Sequence, residues 1–210
     1  MPYLLRVELP DVPGSLGRVA TAIGMAGGDI EAIEIVEKRH AEGTAVDDVL
    51  LETAPNAMPD SIVSACNALD GVQVVWISRY AAGGNLFLDL EAVEELTADP
   101  EGSLNRLVDL LPVTFRADWG ARVSKADGVV HATAAAPSGL AWQQIERAEL
   151  IESADENAVV AAARLNKSEI VVIGRRGGPE FLDSELARLG HLVGLAMSIS
   201  RTAAKAANQR

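Results

Sequence analysis

From Tyr3 to Leu9 the chain alternates, with Leu5, Val7 and Leu9 on one side and Arg6 and Glu8 on the other, which predicts a half-buried strand. A turn at Pro10 to Gly14 ends it. Leu16, Val19, Ala20, Ile23 and Ala26 then recur at helical spacing up to the stop at Gly27 and Gly28. In the next segment, Asp29 to Lys38, the glutamates Glu31, Glu34 and Glu37 keep a helical spacing, but the β-branched residues and the preceding glycine pair favour a strand. A turn at His40 to Gly43 leads into a strand over Thr44 to Glu52. The segment Pro59 to Leu69 places Ile62, Val63, Cys66 and Leu69 on one helical stripe, and the run Val72 to Ser78 closes the series as a strand. The order is β-α-β-β-α-β, a ferredoxin-like split unit.

The paired glycines of Ala81 to Asn85 mark a linker, so the chain divides into residues 1–80, a linker at 81–85, a second domain at 86–206 and a tail at 207–210. In the second domain the pattern predicts helices over Leu86 to Ala98 and Ser103 to Leu111. Strands follow at Ala117 to Ser124 and Val129 to Ala135, joined by the turn Lys125 to Gly128. A further hairpin pairs Ala158 to Leu165 with Glu169 to Gly174. The closing helix, Asp183 to Ala206, carries Asp183 and Glu185 in its first turn, where carboxylates meet the positive helix end. Its apolar positions Leu189, Leu192, Val193, Leu195, Ala196, Met197 and Ile199 run nearly all round it, more than one sheet needs, and a helix-helix dimer contact would use the surplus.

The 210 residues suffice for two cores, with 49% hydrophobic and 23% charged content. A net charge of −12 argues against nucleic acid and anionic membrane surfaces as partners, since both are bound through Lys and Arg, and acidity of this size serves solubility. The single Cys66 makes no internal disulfide, and no stretch has the pattern of a signal peptide, so a cytoplasmic location is expected. The apolar run Leu192 to Ser200 is shorter than the roughly 20 residues a membrane span requires.

The most informative stretch is Asp11 to Asp29, DVPGSLGRVATAIGMAGGD, a helix with an Asp and a glycine turn at each end. A helix N-terminus offers unpaired N–H groups and partial positive charge, so the turn at Pro13 to Ser15 suits a carboxylate, and Gly14 lets it approach the backbone. Asp11 and Asp29 suit an ammonium group. A helix of about 18 Å separates them, too long for one amino acid to bridge within a single chain. Two chains with these helices antiparallel would bring Asp11 of one copy near Asp29 of the other.

The turn DVPGSL after the first strand, Gly28-Asp29-Ile30 after the first helix, and the element order resemble the ACT domain family, small regulatory modules that sense amino acids. The resemblance covers Tyr3 to Arg79. It implies a site at the interface of paired domains formed by Asp11, Val12, Pro13, Gly14, Ser15 and Leu16, with Asp29 and Ile30 from the other side. Serine-binding members carry Asn at both Asp positions, so serine is not implied; the carboxylates favour an ammonium end or a basic side chain. Turn, cap and pure dimerisation roles for the same residues stay open.

The stretch from Ser168 to Ser200, with a last strand, a glycine turn, Phe181 and an acidic-started helix, is similar to the end of a GAF domain, and that resemblance covers Leu86 to Ala206. It implies an antiparallel sheet with flanking helices and a small molecule held between sheet and capping loops. The fold class is therefore α+β, a ferredoxin-like βαββαβ (ACT) domain followed by a GAF-like one. Arg175 and Arg176, with Gly177 and Gly178, offer either an anion contact or a tight surface turn. Trp119 and Trp142 either line a pocket or pack in the core.

Nothing points to catalysis. His40, His131 and His191 stand far apart without metal-ligand spacing, Ser138 lacks a nucleophile elbow, and GRRGGP lacks the Lys and Ser/Thr of a phosphate loop. The sequence thus predicts a dimeric, non-catalytic sensor with no cofactor and no metal, whose partners are an amino acid, a second copy and an unidentified protein. The alternative is a ligand-free scaffold or regulatory subunit.

Overall fold

The computed structural model describes residues 2–55, 57–79 and 85–207. The chain forms two compact units, Met1–Gly84 and Asn85–Arg210. The linker expected at 81–85 lies, up to Gly84, outside the described residues, as do the boundary residue Tyr80 and the tail beyond Ala207.

The first unit runs β1 (Pro2–Pro10), α1 (Ser15–Met25), β2 (Gly28–Arg39), β3 (Thr44–Thr53), α2 (Pro59–Asn67) and β4 (Gln73–Arg79). Its sheet has the order β2-β3-β1-β4 with every neighbouring pair antiparallel. Tyr3, Leu5, Val7 and Leu9 of β1 and Val49 and Leu51 of β3 share a core with Val19 and Ile23 of α1 and Ile62 and Cys66 of α2. Successive strand residues alternate between faces, so the even positions of β1 turn away from the helices.

The strand at Tyr3 to Leu9 is not half-buried, because β1 is an interior strand and its opposite face is covered too: Leu4 and Arg6 are both buried. Arg6 answers Asp48 across the β1–β3 register in a two-pronged pair, Nε to Oδ1 at 2.7 Å and Nη2 to Oδ2 at 2.9 Å. Such a fork matches a carboxylate's geometry, which allows both charges to be buried together.

The second unit runs α3 (Asn85–Ala98), α4 (Ser103–Phe115), β5 (Trp119–Ser124), β6 (Gly128–Ala132), β7 (Glu149–Ile151), β8 (Ala158–Arg164), β9 (Glu169–Arg176) and α5 (Asp183–Ala207). Its antiparallel sheet has the order β6-β5-β9-β8-β7. Both faces are buried. Ala161, Ala163, Val171 and Ile173 meet the three helices, whereas Val160, Ala162, Ile170 and Val172 meet Ile145, Leu140 and Trp142 from the long β6–β7 connection. Burial on two sides explains why AVVAAA and IVVIG read as continuous apolar runs.

Most of the α5 surplus finds its use inside the chain. Leu189, Leu192, Val193 and Ala196 are buried, with Met197 and Ile199 packed beside them, in a core shared with α3, α4 and the sheet. Three surfaces, rather than one sheet, take up most of the apolar circumference, and Leu195 is left exposed. Arg188 of α5 adds an ion pair to Asp89 of α3, Nε to Oδ1 at 2.9 Å.

Candidate functional site

At the end of β1 the backbone turns sharply. Asp11 N–H donates to Gly43 O at 2.9 Å and Val12 N–H to Pro10 O at 2.9 Å, which pins the turn to the β2–β3 connection. Gly14 then adopts φ +92°, a left-handed conformation costly for any side chain, and an added Cβ there would meet nothing within 4 Å. The space beside it is open. No side chain caps α1, and the first helical bond is Arg18 N–H to Gly14 O at 3.1 Å, so the amides of Leu16 and Gly17 precede the helical ladder. The turn thus presents backbone donors and partial positive charge.

Acceptors lie close by. Asp11 is half-exposed and takes Lys38 Nζ at 3.4 Å. Ser15 is only 3% exposed, and its Oγ has no hydrogen-bond partner among the described residues. Asp47 of β3 is 2% exposed, and its Oδ1 is likewise unpartnered. Burial, reinforced by the charges on Asp11 and Asp48 and opposed by Lys38, pushes the Asp47 carboxyl up from its ordinary 3.8 to about 6.

Asp47 is the residue that sequence reasoning missed. It sits in phase with the core positions Ala45, Val49 and Leu51, so it faces the helix layer. A carboxylate at an inward-facing strand position was the available signal, but the neighbouring Asp48 obscured it.

Among the expected site residues, Asp11, Val12, Pro13, Gly14, Ser15 and Leu16 come together at this turn. Asp29 and Ile30 do not join them. Both lie at the start of the edge strand β2, opposite Glu52 and Leu51, after a helix of about 16 Å by its 11 residues. Asp29 is exposed, whereas Ile30 packs against the core.

Arg175 does not offer the expected anion contact. Arg175 is 2% exposed, stacked over the Phe181 ring at 4.1 Å, and its guanidinium is committed to protein acceptors. Nη2 donates to Phe115 O at 2.7 Å and Glu185 Oε1 at 3.0 Å, Nη1 to Pro179 O at 3.0 Å, and Nε to Arg116 O at 3.3 Å. Position 175 shares the phase of Val171 and Ile173, so it points toward the helices, not outward with Arg176. Exposed Arg176 faces Asp155, Nε to Oδ2 at 3.4 Å.

A cavity of about 330 Å³ opens on the other side of this sheet. Trp119, Ile151, Val160 and Val172 supply its apolar wall, and Pro137 to Ala141, Glu152 to Asp155 and Arg176 its rim. Trp119 therefore serves as both core and wall, its ring filling the place of a side chain at Gly174, where an added Cβ would clash with the indole. Trp142 packs against the same core under Lys125 Nζ, 4.7 Å from its ring centre. His131 pairs with Asp109 at 2.8 Å, and burial pushes the Cys66 thiol up. Among the described residues no cluster of three or more His, Cys, Asp or Glu side chains could hold a metal, and no helix is long and apolar enough to cross a membrane.

Residues 3–57 match the ACT domain family, which makes the first unit an ACT domain of ferredoxin-like topology. Over 116 residues the chain is 32% identical to NAD-dependent malic enzyme 1 of Bacillus subtilis strain 168; the match takes in 55% of this chain and 23% of that enzyme. Among solved structures, the chain is similar to the GAF domain of a protein named for a sensor histidine kinase from Pseudomonas syringae pv. tomato. That likeness is 14% identical, covers 60% of this chain and 93% of the other, and has a TM-score of 0.44. It is also similar to a formyltetrahydrofolate deformylase from Pseudomonas putida KT2440, 11% identical over 40% of this chain and 29% of that one, with a TM-score of 0.30.

Proposed function

We propose that the chain is a non-catalytic regulatory protein that senses a free amino acid at its ACT domain, in a site completed by a second copy. The observation that carries this reading is the β1–α1 turn. Open space at Gly14 and uncapped amides at the start of α1 adjoin Asp11 and the orphaned Ser15 hydroxyl, a set of donors and acceptors complementary to a zwitterion. In this reading residues 1–80 sense the amino acid, 81–85 link, and the GAF-like 86–206 act as a second sensor or an output module.

The opposite end of α1 explains the need for a second copy. With Asp29 a helix length from Asp11, antiparallel pairing of two α1 helices supplies it from the partner. Gly17, Thr21 and Gly24 are exposed on α1, and Met25 and Val12 at its ends are 87% and 57% exposed, a surface that allows close approach and offers apolar contact.

Thermal melts of the full chain with each of the twenty amino acids test the proposal. A ligand at a hundredfold excess over its dissociation constant adds about 2.7 kcal/mol of stability. Asp11→Ala and Asp29→Ala should each abolish the shift while leaving the dimer intact in sedimentation. A set of melts with no shift would refute amino acid sensing.

A second reading is favoured by the likeness to the malic enzyme, of which the matched part is only a fraction. Here the chain serves as a regulatory subunit of a metabolic enzyme. Purified chain would then alter that enzyme's rate in a direct assay without any added amino acid.

A further inference from the structure

Lys38 meets Asp11 at 3.4 Å and sits on β2 opposite Ala45, two residues before Asp47 on the same face of β3, so one cation acts on both carboxylates. Asp48, the next acidic residue, is already matched by Arg6. Across the sheet from Asp47, β1 places Val7 and β2 places Ile35 in register, with Lys38 opposite Ala45. Two carboxylates thus share one cation, and Asp47 Oδ1 is buried with no hydrogen-bond partner among the described residues. A buried carboxylate oxygen without a donor is costly to keep. Lys38 meets Asp11 at 3.4 Å through two substantially exposed side chains, a contact of small worth that a better-placed cation can displace.

We propose that Asp47 receives the ammonium group of the bound ligand, holding it jointly with Asp11 between the β1–α1 turn and β3 while the ligand's carboxylate meets the amides at the start of α1. The inference rests on the amino acid site proposed above and specifies its selectivity. The site takes ligands that carry a free α-amino group and rejects the 2-hydroxy and 2-keto acids of the same side chain, which bring no charge to the two carboxylates. Regulation would then follow an amino acid pool and ignore the corresponding deaminated metabolites.

The test is calorimetric titration of the full chain. Each of the twenty amino acids is titrated first, and the tightest is then compared with its 2-hydroxy acid on the wild type and by itself on Asp47→Asn. Charge-assisted contacts of this kind predict a loss of about 10- to 100-fold in both comparisons. A melt confirms that the variant is folded. Binding of the amino acid to Asp47→Asn within about threefold of wild type, or of the hydroxy acid to wild type within the same margin, overturns the role of Asp47 and leaves the amino acid site standing. Absence of binding by every amino acid to the wild type overturns the site and this inference together.

Discussion

Asp47 burdens the fold least when it carries a proton. Folded, the carboxyl keeps its proton up to about pH 6, whereas the unfolded chain loses it near 3.8, so unfolding releases protons and stability falls as pH rises between those values. Above about pH 6 the ionised group burdens the fold. Asp47→Asn should therefore raise stability at about pH 7.5 by on the order of 1–3 kcal/mol, a gain that vanishes below about pH 4, as denaturant melts at the two pH values would show. Arg175→Ala should do the opposite. Removing a guanidinium that satisfies Glu185 and three carbonyls strands a buried charge, and about 3–5 kcal/mol should be lost. Gly14→Ala tests the turn alone: with no steric neighbour at φ +92°, the cost is backbone strain of about 1–2 kcal/mol, read by the same melts. The turn residues were legible because Asp, Pro and Gly act locally. Asp47 and Arg175 were not, since whether one residue of an Asp-Asp or Arg-Arg pair faces inward depends on strand register, which long-range pairing sets.

Elements with strong periodicity are legible in the sequence. α1 follows its apolar stripe, β1 forms a strand where alternation predicts one although both its faces are buried, and the glutamate-spaced Asp29 to Lys38 segment is a strand because it pairs along β3. The misreadings have local causes. α4 continues through Pro112 to Phe115, where sequence predicts an end at Leu111, because burial of Phe115 holds the final turn in place. β7 escaped notice because three residues show no period, and only pairing with β8 makes them a strand. α1 offers an element-scale prediction. An added Cβ at Gly24 would meet nothing within 4 Å, so Gly24→Ala should stabilise an isolated helix by about 0.5–1 kcal/mol. If two α1 helices pair closely, Gly24→Trp should dissociate the dimer, seen as a halved mass in sedimentation, without lowering the monomer's helix content.

At the scale of the whole molecule, each unit owns a hydrophobic core: one lies under α1 and α2, and the second unit buries both faces of its sheet. Residues 1–84 and 85–210, expressed separately, should each unfold cooperatively, and only the first should shift its melting temperature with an amino acid. Failure of either fragment to fold would mean that the division into units is not a division of stability. The Trp119–Gly174 contact has a practical consequence for the second unit. An indole locked against bare backbone on one side and bordering a 330 Å³ space on the other cannot rotate away, so its emission reports what enters that space. With Trp119→Phe as the blank to subtract Trp76 and Trp142, the protein carries its own optical gauge of occupancy, and a compound library can be screened without labelling the chain.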